Sequence, residues 1–286
     1  MFYESPVAFR MALEQRLRND SERSGVGHDR LRRQIVFERV AIRLDLAEPG
    51  CWVLKGGLAL DLRLGADARA TRDLDLGLRH RDIEADALRD RLIEALASDP
   101  DEDWFTFAVG AVEVLGGDEA GRHTMRYAVR ASLAGRTFGG IKLDVSPRPE
   151  ELLWTERLPL HNVLAFAGTP SRDIEIIDVN RHAAEKVHAL TRDYGDHQNT
   201  RTRDLVDLVL LLEYDQLDDR ACSLAVRETF TQRATHDVPM HLPDPPPAWV
   251  DTYERLASEL DMGIRTVGEA MVLLREWWSR LGLSDR

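Results

Sequence analysis

Lysine is almost missing from this chain: of its 38 basic residues only Lys55, Lys142 and Lys186 are lysine, and the rest are arginine. Such usage fits a genomic composition bias, and where lysine survives it marks places that want a compact ammonium rather than a wide guanidinium fork. Cysteine is as scarce. Cys51 and Cys222 stand alone, with neither a metal-type spacing nor a disulfide framework between them. No run of 18 apolar residues occurs, which excludes a membrane-spanning helix. The opening segment, MFYESPVAFRMALEQRLRND, has no continuous apolar stretch before a small-residue cleavage site, so no secretory leader is expected and a cytoplasmic location is. Positive charge is not in excess either. A formal net charge of −12 excludes wholesale coating by nucleic acid, whose phosphates need cations, while leaving room for a local basic patch.

The 286 residues, 43% hydrophobic and 31% charged, suffice for one large domain or two modest ones. Arginines are dense from Arg10 to Arg43. They read first as a solvated helix face. As a second use, Arg30, Arg32, Arg33 and Arg39, with Arg63 and Arg69 further on, are the candidates for meeting RNA phosphates.

Hydrophobic periodicity divides the chain into segments 1–46, 47–178 and 179–286. The first reads as two helices broken at Ser24-Gly25-Val26-Gly27. In the second, Cys51 to Leu54 is a short buried strand that runs into Gly56-Gly57 and a helix from Leu58. Asp73-Leu74-Asp75-Leu76-Gly77-Leu78 alternates with period two, so it is a strand with both acids on one face. A helix over 83–97 follows, then an antiparallel pair, Trp104–Leu115 and His123–Leu133, joined by Gly116-Gly117-Asp118-Glu119. Ile141–Val145 is a further strand. After Ile174–Ile177 the pattern turns helical, at about 180–191, 201–214, 219–231, 250–261 and 266–281, with Pro245-Pro246-Pro247 interrupting as a linker. The fold class is α/β with a mixed sheet, followed by a helical C-terminal region.

Lys55-Gly56-Gly57 between a strand and a helix start offers backbone N–H groups to an anion, and glycine lets phosphates approach closely. Asp73 and Asp75 then form a clamp for Mg²⁺, a hard ion that takes carboxylate and phosphate oxygens. Asp144, in Ile141-Lys142-Leu143-Asp144-Val145, is a candidate third metal acid. Three such acids suit two-metal phosphoryl or nucleotidyl transfer. Each motif alone is common in turns; the ordered set is what is specific.

That set, Lys55-Gly56-Gly57-x-Ala59-Leu60 with Thr71-x-Asp73-Leu74-Asp75-Leu76, resembles the AbiEii/AbiGii family of nucleotidyltransferase-like toxins, the toxin half of type IV toxin–antitoxin systems, which includes the MenT toxins. The resemblance continues through Glu185-Lys186-x-x-Ala189-Leu190 and Arg201-x-Arg203-Asp204-Leu205-x-Asp207-Leu208, covering roughly residues 50–215. Thr71 stands where members often have serine, and Arg203 where they often have lysine; neither change removes a hydroxyl or a charge. The resemblance implies a polymerase-β-like nucleotidyltransferase core whose helical C-terminal region walls the active-site cleft. It implies Mg²⁺ on Asp73 and Asp75, a nucleoside triphosphate bound by Lys55, Gly56, Gly57, Thr71 and Lys186, and Asp204 as a base or as the orienting partner of Lys186. A tRNA 3′ end is the implied acceptor, its blocking would arrest translation, and a helix-turn-helix antitoxin is the implied partner.

Two other readings stay open on the residues alone. The same metal motif would serve a nucleotidyltransferase acting on a small molecule or a protein, and an acidic chain suits a cationic acceptor. A non-catalytic nucleotide-binding regulator has less use for Asp73, Asp75, Lys186 and Asp204 together. His182, His188 and His197 lack metal-ligand partners in sequence and read as solvated or capping residues; Trp277 and Trp278 read as core anchors. A bond from Arg203 to Asp207, four residues on, is expected.

Overall fold

A computed structural model of the chain describes residues 2–117 and 123–283. In chain order its elements are α1 (Pro6–Ser24), α2 (His28–Ala47), β1 (Trp52–Lys55), α3 (Gly56–Leu64), β2 (Asp73–Leu78), α4 (Ala85–Ala97), β3 (Phe105–Gly117), β4 (His123–Leu133), β5 (Arg136–Ser146), β6 (Thr155–Pro159) and β7 (Asp173–Ile177). Then come α5 (Val179–Thr191), α6 (Thr202–Glu213), α7 (Asp219–Arg233), α8 (Trp249–Glu259) and α9 (Val267–Arg280). The chain divides into two compact units. Among the described residues, unit 1 takes 2–62, 70–117 and 123–176; unit 2 takes 63–69 and 177–283.

Unit 1 is built on a seven-stranded mixed sheet in the order β3-β4-β5-β2-β1-β7-β6. β2 runs parallel to β5 and antiparallel to β1, while β1 runs parallel to β7. Alternation decides which face is which. Leu74, Leu76 and Leu78 are buried in one core with Leu54, Leu143 and Val145, beneath Ile35, Phe37 and Val40 of α2 and Phe9, Leu13 and Leu17 of α1. Asp73 and Asp75, one residue out of phase, are left on the opposite face and stay partly exposed. The two N-terminal helices therefore belong to the same unit as the sheet. Ser5 caps α1 with Pro6 at its first position, and Gly25 at φ 72° closes it. The turn expected at Gly116–Glu119 falls largely outside the described residues.

Two strands extend beyond the sequence expectation. β5 begins at Arg136, immediately after a turn at Ala134 and Gly135 with φ of 51° and 69°, and its glycines Gly139 and Gly140 disguise the first half. β6 is a polar strand at the sheet's end, Thr-Glu-Arg-Leu-Pro, with no buried residue to betray it.

The arginine-rich helix is not simply a solvated face. Arg39 and Arg43 are 1% and 0% exposed. Arg43 donates to both oxygens of Asp103 at 3.0 and 2.6 Å, and Arg39 donates to Asp101 at 2.8 Å. Arg32 binds Glu14 at 2.7 Å, and Arg10 donates to the carbonyls of Leu133, Arg136 and Thr137. These guanidiniums tie α1 and α2 to the rest of unit 1. Of the candidates for RNA contact, Arg39 is thereby withdrawn and Arg32 is already neutralised.

Unit 2 is helical. Asp178 caps α5 by accepting from the amides of Asn180 and Arg181, and Thr266 with Glu269 forms a reciprocal capping box on α9. Trp277 is fully buried and Trp278 is 5% exposed, as core anchors should be. Among the described residues no helix is long and apolar enough to cross a membrane.

Candidate active site

The strand–glycine–helix junction has a more specific need for glycine than open space for phosphate. α3 starts directly at Gly56, whose φ is +61°, and a Cβ there would overlap the Asp75 carboxylate. A Cβ on Gly57 would stand 2.7 Å from Thr71 Cβ and 2.8 Å from its Oγ1. The two glycines are thus the floor on which Asp75 and Thr71 lie. Thr71 in turn donates its hydroxyl to the Asp73 carbonyl at 3.0 Å, fixing the entry of β2. Gly56→Ala combines a strained φ with a steric clash. It should lower stability by about 1–3 kcal/mol and displace Asp75. Thermal melting with a Mg²⁺ titration checks both, and a variant that keeps wild-type melting and metal affinity would refute the packing role.

Strand register gathers charge in one transverse row. Lys55 is the partner of Asp75, Asp75 of Asp144, Asp144 of Arg126, and Arg126 of Glu113. One step along, Asp73 is the partner of Lys142, which is exposed. Lys55 is buried and reaches Glu151 at 3.1 Å. Asp144, expected as a third metal acid, is 8% exposed and gives both oxygens to Arg126, at 2.7 and 2.6 Å. That pairing raises the Arg126 pKa further above its already high value, through the hydrogen bonds to Asp144, against some desolvation.

The donor set fits Mg²⁺ bound by two carboxylates and substrate. Among the described residues no three His, Cys, Asp or Glu side chains converge on one point. Mg²⁺ does not require them to: it keeps several waters and binds through one or two carboxylates plus substrate phosphates. Asp73 and Asp75, hard oxygen donors on one partly exposed strand face, are of that kind.

In unit 2, α5 and α6 pack together and bring Lys186 to Asp204, as their resemblance-based pairing implied. Lys186 Nζ donates to Asp204 Oδ1 at 3.1 Å and to Asp207 Oδ2 at 2.6 Å. Two expectations change here. Lys186 is not off the buried stripe; it is 6% exposed. Asp207 does not belong to Arg203 but to Arg69, which grips it bidentately at 2.7 and 2.9 Å. Arg63 donates to the Ile177 carbonyl.

The sequence as a whole points the same way. The family model of the nucleotidyl transferase AbiEii toxin of type IV toxin–antitoxin systems matches residues 43–273. The chain belongs to this AbiEii family. Among solved structures, the MenT4 nucleotidyltransferase toxin of Mycobacterium tuberculosis is 16% identical, with 96% of this chain and 90% of that one covered at a TM-score of 0.57. A candidate nucleotidyltransferase from H. pylori is 16% identical over 91% of this chain and all of its own, at 0.47. A nucleotidyltransferase-like antigen from Paracoccidioides brasiliensis is 19% identical over 82% and 94%, at 0.38. No curated protein matches. The α/β core is therefore a nucleotidyltransferase fold with a mixed sheet and a helical C-terminal region.

Within this AbiEii-family chain, two holders were not legible in the sequence, Arg69 for Asp207 and Arg126 for Asp144, and Asp207 was given to Arg203 rather than to Lys186. The signal for Asp207 was present, since it shares a helix face with Asp204 three residues away. Two of the three histidines differ from expectation and His197 does not. His182 and His188 are 3% and 2% exposed, and His188 Nε2 lies 2.9 Å from Thr235 Oγ1 with its ring against Phe230 and His236; His197 is exposed.

Proposed function

We propose that this chain is a Mg²⁺-dependent nucleotidyltransferase that moves a nucleoside monophosphate from a nucleoside triphosphate to an RNA hydroxyl, the 3′ end of tRNA, and thereby blocks translation. The observation that carries the reading is the acid pair Asp73 and Asp75 on one face of β2, with Asp75 seated against Gly56 at the start of α3. Family membership supports nucleotidyl transfer by a toxin and a partner antitoxin; a helix-turn-helix antitoxin and a cytoplasmic setting belong to the proposal.

Asp73 and Asp75 would hold the metal, which when bound neutralises triphosphate charge. The Gly56–Gly57 segment opens a helix, where unpaired amides favour an anion. Lys55 and Thr71 fix that junction from either side. Lys186 supplies a cation for the charge that grows on the departing pyrophosphate. Asp204, which accepts from Lys186, would complete the site as a base or as a partner of that ammonium. Lys186→Ala should then lower kcat on the order of a hundredfold or more, the usual scale for one lost electrostatic donor. Lys186→Arg should recover only part of it, because the guanidinium is wider. Steady-state kinetics with nucleotide varied measures both, and an alanine variant at wild-type rate would leave Lys186 a structural ion pair.

The test of the function is incubation with α-labelled nucleoside triphosphates, Mg²⁺ and total tRNA. Label should pass to tRNA, and tRNA with an oxidised 3′ terminus should take none. Labelling of a small cationic acceptor with none on tRNA would instead favour the small-molecule transferase, which the net charge of −12 suits. Binding of nucleotide without transfer to any acceptor would favour a regulator.

A further inference from the structure

Lys186 is held by two carboxylates that differ in kind. Asp204 is partly exposed at 16%, contacts Nζ at 3.1 Å, and has Arg201 3.8 Å from its other oxygen. Asp207 is wholly buried, contacts Nζ at 2.6 Å, and has Arg69 on both oxygens. Lys186, Arg69, Asp204 and Asp207 together sum to zero charge, and Asp207 is the acid that touches both Lys186 and Arg69. An ammonium has three N–H donors. Two are spent on Asp204 and Asp207, which leaves one without a partner among the described residues.

We propose that Asp207 is the positioning residue of this site: it holds and aims the Lys186 ammonium, with Arg69 acting through it, so that Lys186 offers a permanent cation and one N–H to the triphosphate. The proposal rests on the nucleotide-contacting role given to Lys186 above. Chemistry supports the ranking of the two acids. Burial alone would push Lys186 toward the neutral amine; the charge of Asp207 first, and of Asp204 second, outweighs it and holds the pKa above the usual lysine value, while Arg69 pulls the other way. Burial likewise works against the Asp207 charge, and Lys186 and Arg69 keep its carboxyl below the usual range. The charged groups facing Lys186 within unit 2 are Asp204 and Asp207 from α6 and Arg69. α7, also packed on α5, directs Arg233 at Glu185 instead.

Three lysines in the whole chain make the test clean. Protein labelled with ¹³C at lysine side chains gives three ammonium signals, assigned by Lys142→Arg and Lys186→Arg. In Asp207→Asn the Lys186 midpoint should fall by about one to three pH units, the effect of removing a close opposite charge. Asp204→Asn should lower it less. Arg69→Gln should raise it, so a variant of opposite sign serves even if Asp207→Asn fails to fold. The transfer rate of Asp207→Asn should acquire an alkaline limb at the lowered midpoint. Adding Lys186→Arg should abolish that limb, since a guanidinium stays charged. An unchanged midpoint in Asp207→Asn, a larger drop in Asp204→Asn, or a drop in Arg69→Gln overturns the proposal. Wild-type protein that titrates as described yet transfers no nucleotide leaves Asp207 in this role and overturns only the proposed reaction.

Discussion

Asp75→Ala should lose about a thousandfold in transfer rate while melting at or above the wild-type temperature. The first half follows from what the carboxylate is for. Metal stabilisation of transition-state charge is worth several kcal/mol, and each ~1.4 kcal/mol is tenfold in rate. The second half follows from where it lies. Asp75 shares its face of the sheet with Asp73 and stands in register with Asp144 on one side and Lys55 on the other, so removing it relieves repulsion between acids and gives up one neighbouring cation. Gly56 also loses the carboxylate pressed upon it. Asp73→Ala should behave in the same way. Single-turnover rates beside melting curves decide the matter. Retention of more than a few per cent of the rate would remove the metal assignment, and a large fall in melting temperature would make Asp75 structural.

Arg43→Ala has the opposite signature: stability collapses first, and activity only with it. Arg43 is fully buried and holds Asp103, itself fully buried, with two hydrogen bonds, while also donating to the Ser98 carbonyl. Deleting Arg43 leaves the buried Asp103 charge to Arg39 alone, 3.5 Å away, without its two hydrogen bonds; breaking a buried pair costs about 3–5 kcal/mol, a large share of the ~5–15 kcal/mol that a domain has. The loop makes matters worse. Glu102 and Trp104 sit at φ of 53° and 58°, a conformation non-glycine residues adopt only when contacts enforce it. Acidity should narrow the difference between the two proteins. Burial opposes the Asp103 charge, but Arg43 holds its carboxyl below the usual range. Its stabilisation is therefore present above the unfolded carboxylate pKa and is lost as pH falls through the folded one. Urea midpoints at neutral pH and near pH 3 measure this; a gap that widens on acidification would contradict it.

How much of this was readable beforehand depended on whether local pattern or distant packing set the residue's fate. The period-two acids of β2 and the helices of unit 2 were legible because alternation and the 3.6-residue repeat are local. Lys186 was misplaced because Ala183, Ala184, Val187 and Leu190 suggest a single buried stripe, whereas α6 and α7 both pack on α5. A lysine can live there only with its acids, and those lie on another helix. Arg39 and Arg43 were read as solvent-facing for the same reason, although Asp99, Asp101 and Asp103 advertise the counter-charges at alternate positions. The glycines carry a second reason that no local pattern shows: Asp75 and Thr71 lie where Cβ atoms on Gly56 and Gly57 would stand.

The scarcity of lysine also gives the molecule an unusual relation to a lysine-specific protease. Lys55 ends a buried strand, Lys142 lies in a strand bonded on both sides, and Lys186 is inside a packed helix. None of the three peptide bonds is cleavable until its element opens, so digestion would time unfolding rather than surface nicking. Fragments cut at residue 186 before those cut at 55 and 142 would report that unit 2 opens first, and the reverse order would name unit 1.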